Sequence, residues 1–411
     1  MPNLLKLLTS MSRWSAPGDE VLNDLLPEEP DSPGGSREYI TDLCAKANAG
    51  DADAEFALAT EYMSNGQYLR PDPFKEAKWM KRAAERGHAV AQLLLASLYA
   101  SGTGVPKDDV AAAKWCLAAA RQGSSNAAYC LGDMYAAGNG VPRSYESAVA
   151  WFTKAATVGH VDAQNELGLY YASGRGVSED HEVSAKWFRL AAEQGHAAAE
   201  HNLAVQFIHG RGVMKDTRLA MEWMLKSAEQ GYAPAQLKIG KAYLLGDGVR
   251  KSKVKAQAWI SRAAKQGDVD AMTVLAKCHH HGEFIAKNAH EAAKWYENAA
   301  QKGSSEAQFC LGILYRNGEG VEKNLNEAAR WLRMAAEQGV ARSQFLLGLM
   351  CAMSEGGMSG ELAAYMWIKL ASTSDKDAQE FIANCEQKMS PTELAAGQRL
   401  VDEWLQKHAA K

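Results

Sequence analysis

The sequence has no long hydrophobic run, no excess of basic residues and no regular pattern of cysteines, and each absence excludes a class of protein. No apolar stretch reaches the roughly 18–20 residues that a membrane-spanning helix needs. The formal net charge of −4 argues against non-specific binding to nucleic acid or anionic membranes, which requires a basic surface. The seven cysteines are an odd number spread over 411 residues. They suit reduced thiols better than a disulfide framework.

The N-terminal region carries little that would direct export. The opening stretch MPNLLKLLTSMSRW has one lysine and a short apolar patch that polar residues interrupt. A secretory signal has a longer apolar core and a cleavage site of small residues. We therefore expect a cytoplasmic protein without membrane insertion. Because residues 16–36 are acidic and rich in proline and glycine, residues 1–36 are predicted to form a flexible segment.

What the sequence does have is a period of 36 residues. Nine of its eleven tryptophans are spaced by this interval, namely Trp79, Trp115, Trp151, Trp187, Trp223, Trp259, Trp295, Trp331 and Trp367. A glycine follows each of the first eight by eight residues, as Gly123 follows Trp115. A residue that favours a helix N-cap precedes every one of these tryptophans by seven positions: Asp72, Asp108, Ser144, Asp180, Asp216, Ser252, Asn288, Asn324 and Gly360.

Each period predicts two helices. The first is exemplified by AAYCLGDMYAAG, in which apolar and small residues recur at helical spacing. A Gly-x-Gly-Val turn follows, as in Gly138–Val141, because glycine permits positive φ after a helix. The second helix then carries the tryptophan and a pair of alanines. The sequence thus predicts an all-α, α/α superhelical solenoid of about nine 36-residue helix-turn-helix repeats. It spans residues 51–388, with terminal capping helices over 37–50 and 389–411.

This pattern resembles the Sel-one-like repeat (SLR) family, a relative of the tetratricopeptide repeat (TPR). The resemblance rests on Ala-x-x-x-Leu-Gly-x-x-Tyr, then Gly-x-Gly-Val, then Ala-x-x-Trp-x-x-x-Ala-Ala-x-x-Gly, and it covers about 85% of the chain. The last repeat departs from it, since Ser354–Gly357 replaces the glycine-valine turn. The resemblance implies a protein-binding adaptor without a common catalytic residue set. Because the cysteines do not recur with the spacing of one secreted, disulfide-bonded branch, that branch's export and β-lactam chemistry are not carried over.

The stretch CHHHGEF, residues 278–284, offers several metal-ligating side chains. His279, however, stands in the tyrosine column of the repeat, and His281 stands in a polar position before the turn glycine. Adjacent helical residues diverge by 100° each, so few of these side chains share a face, whereas zinc needs three or four convergent ligands. We expect no metal, cofactor or catalytic residue here. His88, His160 and His196, which follow the closing glycine in three repeats, are interpreted as turn residues.

By analogy with the TPR relatives, a partner would bind in the concave groove formed by the first helices. The candidate positions hold polar and aromatic side chains, and the groove is expected to be acidic at first, through residues such as Asp162, and cationic or histidine-rich further on. Asp270 occupies another of these candidate positions. The candidates are Tyr129, Asp133, Asn165, His201, His209, Lys241, Lys277, His280, His281, Phe309, Arg316, Asn317, Arg342 and Phe345.

The function that the sequence favours is a non-enzymatic adaptor or scaffold that binds a protein or peptide segment in this groove, in bacterial signalling or complex assembly. Two alternatives stay open. One is a metal-dependent or β-lactam-processing enzyme that uses the Cys278–His281 cluster. The other is a structural component of an envelope or secretion assembly.

Overall fold

The structure is a computed structural model that describes residues 34–63, 68–283 and 285–408, with side chains from residue 38 onward. Residues 1–33 of the predicted flexible segment lie outside the described residues. Its last three residues, 34–36, are helical instead, a shift that is ordinary for helix ends. The described residues contain 21 helices and no strand, which confirms the predicted all-α repeat fold. The described residues fall into two compact units, of which the first ends at Lys215 and the second begins at Asp216.

The first unit contains ten of these helices. After the leading helix α1, first and second helices of successive repeats alternate. The helices are α1 (Gly34–Ala49), α2 (Ala52–Glu61), α3 (Pro73–Glu85), α4 (Ala89–Ser101), α5 (Asp109–Arg121), α6 (Ser125–Ala137), α7 (Tyr145–Thr157), α8 (Val161–Ser173), α9 (His181–Glu193) and α10 (Ala197–His209).

The second unit begins with a second helix and continues the alternation to the C-terminal helices. Its helices are α11 (Thr217–Glu229), α12 (Ala233–Leu245), α13 (Lys253–Lys265), α14 (Val269–His281), α15 (Ala289–Gln301), α16 (Ser305–Asn317), α17 (Leu325–Glu337), α18 (Ala341–Ala352), α19 (Glu361–Ala371), α20 (Lys376–Glu386) and α21 (Pro391–His408). None of the helices described in either unit is long and apolar enough to cross a membrane.

The predicted N-cap column sets the start of the second helices. The Asp72 carboxylate accepts hydrogen bonds from the backbone N–H groups of Phe74 and Lys75. The caps from Asp108 to Asn324 accept in the same way. These bonds satisfy donors that have no partner within the helix, and each cap is worth about 1 kcal/mol. Gly360 makes no side-chain cap bond, so only the last repeat lacks this contribution.

The Gly-x-Gly-Val turn brings neighbouring repeats into backbone contact. Gly138 ends α6 with φ of +80°, in the left-handed region. Gly140 has φ of +69°, and a Cβ atom there would lie 1.8 Å from the carbonyl oxygen of Asp109, at the start of the preceding second helix. The first glycine is therefore required for its conformation and the second also for space.

Small residues in the first helices allow close packing against the second helices. A Cβ atom on Gly168 would lie 2.4 Å from the Phe188 ring, and Gly132 stands in the same relation to Phe152 at 2.6 Å. The paired alanines of the second helices are buried, as Ala155 and Ala156 show. The helices can thus approach closely, and the aromatic rings fill the space between them.

The terminal helices cover the ends of the repeat cores. Ile40, Leu43 and Ala47 of α1 belong to the buried cluster of the first repeats. At the other end, Val401 of α21 is buried with the last repeats, and the Trp404 ring packs at 6.0 Å from that of Trp367. An uncovered repeat would expose its apolar face to water, so each helix supplies the contact that a further repeat would otherwise make.

Candidate functional site

Two of the predicted groove residues, Tyr129 and Asp133, lie in one open cleft of the first unit. They lie one helical turn apart on α6, which the Ser124 hydroxyl caps by accepting from the Ala127 N–H. The cleft has a volume of about 420 Å³, a size typical of a ligand site. We refer to it as the Tyr129 cleft; it is lined by Tyr129, Asp133, Ala136, Ala137, Asn139, Glu166 and Tyr170.

The other wall of the Tyr129 cleft comes from the next repeat and was not among the predicted residues. Glu166 and Tyr170 lie one turn apart on α8 and face the α6 residues. Glu166 follows Asp133 by 33 positions, and Tyr170 follows it by 37. Measured from the nearest partner on α6, each lies 37 positions further on, Glu166 after Tyr129 and Tyr170 after Asp133. The signal is thus an offset of one residue from the 36-residue period, which the rotation between repeats sets.

The Tyr129 cleft is acidic and partly desolvated. Burial raises the pKa of Asp133, although a hydrogen bond from Tyr129 acts in the opposite direction. Burial also raises the pKa of Glu166, and the nearby carboxylates of Asp133 and Asp162 raise it further. The pKa of the Tyr170 hydroxyl rises to about 12, chiefly because of burial. The cleft therefore holds two carboxyl groups that are destabilised as anions by their surroundings.

Histidines support the edge of this cleft. The His160 ring stacks on the Tyr129 ring with centroids 4.7 Å apart. Its Nδ1 atom accepts a 3.2 Å hydrogen bond from the Ala163 N–H and so caps α8. His196 caps α10 in the same manner, and its Nε2 atom lies 3.2 Å from Asp162. His88 caps α4. The three histidines interpreted as turn residues are thus helix N-caps whose ring nitrogens replace the usual hydroxyl or carboxylate.

The other first-unit candidates are not part of the Tyr129 cleft. Asn165 is only 7% exposed, so it offers little surface to a partner. Its side-chain oxygen accepts a 3.1 Å hydrogen bond from Asn202 on the next first helix. His201 is half-buried and His209 is exposed at the end of α10. Asn165 therefore contributes to the contact between repeats, which explains its burial at a position predicted to face a groove.

Several cations predicted along the second unit are paired with carboxylates of the following repeat. Lys277 forms an ion pair with Glu306. His280 lies 3.3 Å from Glu319, which Lys287 also contacts. These side chains link adjacent repeats, so the expected cationic surface is at least partly neutralised.

The remaining second-unit candidates differ in exposure. Arg342 lies 2.6 Å from Asp377 and 3.3 Å from Asp375, and it stacks over the Phe345 ring. Phe345 itself is only 7% exposed, because the ring of Phe381 packs against its ring. Phe309 and Arg316 are half-buried, whereas the exposed candidates are Lys241, His281 and Asn317.

The Cys278–His281 stretch does not form a ligand set in the described part of the chain. Burial raises the pKa of the Cys278 thiol to about 12, which disfavours the thiolate that metal binding requires. The His279 carbonyl accepts from Asn288, as the tyrosine column does in other repeats. His280 and His281 stack on each other at 4.8 Å. Among residues 34–63, 68–283 and 285–408, no three side chains of the ligating types converge on a common point.

The fold and the repeated turn define a helical repeat scaffold. The model of the Sel1 repeat family matches nine consecutive segments, which together cover more than three quarters of the chain. The chain therefore belongs to the Sel1 repeat family, as its resemblance to the SLR pattern predicted. The matched segments are residues 52–88, 89–124, 125–160, 161–196, 197–232, 233–268, 269–304, 305–340 and 341–375.

Two solved structures support this assignment. A Sel1 repeat protein from Oxalobacter formigenes is 31% identical, with 82% of this chain and 98% of that chain covered and a TM-score of 0.65. The protein c5321, a protective antigen of uropathogenic Escherichia coli strains with an SLR fold, is also 31% identical. That comparison covers 91% of this chain and 88% of the other, with a TM-score of 0.57. None of the curated proteins matches the chain.

Proposed function

We propose that the protein is a non-enzymatic scaffold whose first-helix surface binds a segment of a partner protein. The observation that carries the proposal is the Tyr129 cleft, in which two adjacent first helices present aromatic and carboxyl side chains around an open space. Aromatic residues in such positions contribute strongly to protein interfaces. The Sel1 repeat fold commonly mediates protein–protein interaction, and this supports the assignment to binding rather than catalysis.

The proposal places the protein in the cytoplasm. All seven cysteines lie in the described residues and carry free thiols, four of which are buried. Free buried thiols suit a reducing compartment. Cell fractionation with antibodies to the protein tests this location, and recovery from a membrane or extracellular fraction would contradict it.

Site-specific photo-crosslinking tests the binding role. A photoreactive amino acid replaces Ala137, which is exposed at the rim of the Tyr129 cleft, or Glu193, which is exposed on the second helix α9. Both positions lie in the first unit, so the Glu193 variant is a matched control for expression and folding. We expect a discrete covalent adduct with one protein at Ala137 and none at Glu193. Adducts of equal yield at both positions, or at Glu193 alone, would contradict binding at the first-helix surface.

A further inference from the structure

One repeat of the second unit has a strong excess of positive charge. Residues 233–268 contain eight lysines and arginines against two aspartates, a formal net charge of +6. The other eight matched repeats each carry between −3 and +1. All eight basic side chains of residues 233–268 are exposed. Because the whole chain has a net charge of −4, this excess is a local property of a single repeat.

Six of these cations lie on α12 and on the turn and first residues of α13 that follow it. A Cβ atom on Gly246, which ends α12, would lie 2.8 Å from the Lys251 side chain. The Lys255 ammonium lies 5.2 Å from the ring centroid of Tyr243 on α12. The end of one helix and the start of the next thus present their charges together. We refer to this surface as the basic edge; it consists of Lys238, Lys241, Arg250, Lys251, Lys253 and Lys255.

The cations of the basic edge have no carboxylate partner among the residues that the structure describes. Lys253 instead donates a 3.3 Å hydrogen bond to the backbone carbonyl of Glu283. The following repeat differs, since its Lys277, Lys287 and Lys294 each form an ion pair with a glutamate. The charge of the basic edge is therefore available to a ligand, whereas that of its neighbour is largely neutralised.

The start of α13 also places positive charge where a helix disfavours it. The second helices α15, α17 and α19 each have a glutamate in the first turn. In α13 that turn holds Lys253 and Lys255 and no acidic residue. The N-terminal end of a helix carries partial positive charge and favours anions. Repulsion among the cations adds to this cost, and a bound anionic group would relieve both.

We propose that the basic edge binds an acidic segment of a partner protein. This inference goes beyond the proposed function, because it assigns a second docking surface, separate from the Tyr129 cleft. Leu245 and Val254 are 63% and 79% exposed among the cations, so a segment that combines carboxylates with apolar side chains gains from both.

The confinement of the charge to one repeat favours a short peptide over a nucleic acid. The flanking repeats, residues 197–232 and 269–304, have no net charge. A nucleic-acid backbone is charged along its whole length and needs a continuous basic track. A few carboxylates on a peptide, in contrast, match the six cations of the basic edge.

Fluorescence anisotropy with purified full-length protein tests the proposal. The probe is an N-acetylated, C-amidated, fluorescent peptide with four glutamates and two leucines in a glycine-serine background. In the matched peptide, glutamine replaces each glutamate. We expect the glutamate peptide to bind, more weakly as the salt concentration rises, and the glutamine peptide to bind about tenfold more weakly or less. Equal affinity of the two peptides, or no binding of either, would overturn the proposal.

Matched variants locate the binding. Lys241→Gln with Lys251→Gln removes two charges of the basic edge, and we expect the glutamate peptide to bind about tenfold more weakly. The control, Lys265→Gln with Lys302→Gln, removes two exposed lysines at the far ends of α13 and α15. Lys265 ends α13 about 18 Å from its start, beyond the screening length of about 8–10 Å, so the affinity should change little.

Circular dichroism and thermal unfolding verify that both double variants are folded. Unchanged binding by Lys241→Gln/Lys251→Gln, or an equal loss in the control, would overturn the assignment to the basic edge.

Two other anionic occupants give distinguishable results. A single-stranded oligonucleotide of matched charge that displaces the probe at lower concentration than the unlabelled glutamate peptide would overturn the assignment to a protein segment. Residues 19–31 of the chain itself contain six carboxylates and no basic residue. If the full-length protein binds the probe only after these six have been changed to amides, the chain's own segment occupies the basic edge and the proposal is overturned.

The peptide experiment and the crosslinking at Ala137 fail independently. If no adduct forms at Ala137 while the glutamate peptide binds in a Lys241- and Lys251-dependent manner, binding at the Tyr129 cleft is excluded and the basic edge stands. If the adduct forms but neither peptide binds, the proposed function stands and the basic edge is excluded as a docking surface.

Discussion

The side-chain amide of Gln194 donates a 2.8 Å hydrogen bond to the side-chain oxygen of Gln164. Gln164 is buried, and its own amide donates to the carbonyl of Ala156 in the preceding repeat. One glutamine thus connects the ends of two successive second helices. The same glutamine pair recurs as Gln122–Gln92, Gln266–Gln236 and Gln338–Gln308. In the first repeat, Glu55 and Arg86 form an ion pair at the corresponding positions.

Replacing Gln164 by methionine should destabilise the protein. Methionine occupies this position in another repeat, as Met272, so the change keeps a side chain of similar size. It removes two hydrogen bonds that join repeats, the one to the Ala156 carbonyl and the one from Gln194, and we expect a loss of about 1–2 kcal/mol. Gln194→Met is the control, because it removes the bond to Gln164 but keeps the bond from Gln164 to Ala156, so it should cost less. Chemical denaturation measures both, and equal losses would contradict the role assigned to Gln164.

Replacing Gly168 by alanine should cost about 1–3 kcal/mol, because the new methyl group collides with the Phe188 ring. The second repeat has Ala96 and Cys116 at the positions equivalent to Gly168 and Phe188, and both belong to one core cluster. A Phe188→Cys background reproduces this pair and removes the ring. There the same change should be neutral or stabilising by up to about 1 kcal/mol, since alanine is the better helix former. A double-mutant cycle by denaturation measures the difference, and additive effects would refute the close contact.

Glu76→Gln should stabilise the protein at alkaline pH. Glu76 is 4% exposed, and burial raises its pKa from 4.5 to about 7. Between these values the folded chain binds more protons than the unfolded chain, so the unfolding free energy falls as the pH rises. The substitution should gain up to about 3 kcal/mol at pH 8 and much less at pH 4.5. Denaturation at both pH values measures this, and a gain that does not change with pH would contradict it.

His160→Ser should flatten the acid side of the stability profile. Burial lowers the pKa of His160 below 6.5, its ordinary value, so the folded chain binds fewer protons there than the unfolded chain. The unfolding free energy should therefore fall as the pH decreases through 6.5. Serine caps the equivalent helix as Ser124 and does not titrate. A variant with the same slope between pH 7 and 5 as the wild type would show that His160 does not contribute.

The periodicity predicted the local structure because local structure depends on residues close in sequence. The cap at Asp72 and the glycines at 138 and 140 each act within a few residues or on the adjoining repeat. The same spacing could not predict that Glu166 and Tyr170 face Tyr129 and Asp133, since the rotation between repeats decides which positions meet. It also did not indicate that His160 caps a helix, because histidine is an unusual N-cap.

The charges of the predicted groove show the same limit. Lys277 and Arg342 stand at positions that analogy assigns to a binding surface, and both are paired with acidic residues of a following repeat. Their partners lie about 30 residues away in sequence. An interpretation that considers each repeat position by itself therefore treats each cation as unpaired. Burial of Asn165 and Phe345 has the same origin, because both contact side chains of the next repeat.

Carboxyl-group footprinting of the protein with its crosslink-identified partner tests the central claim most directly. A water-soluble carbodiimide labels accessible carboxylates, and mass spectrometry measures the rate at each site with and without partner. We predict that the labelling rates of Asp133 and Glu166 fall on complex formation, while that of Glu193 on the second-helix surface is unchanged. Unchanged rates at Asp133 and Glu166, with slower labelling at Glu193, would contradict binding in the Tyr129 cleft.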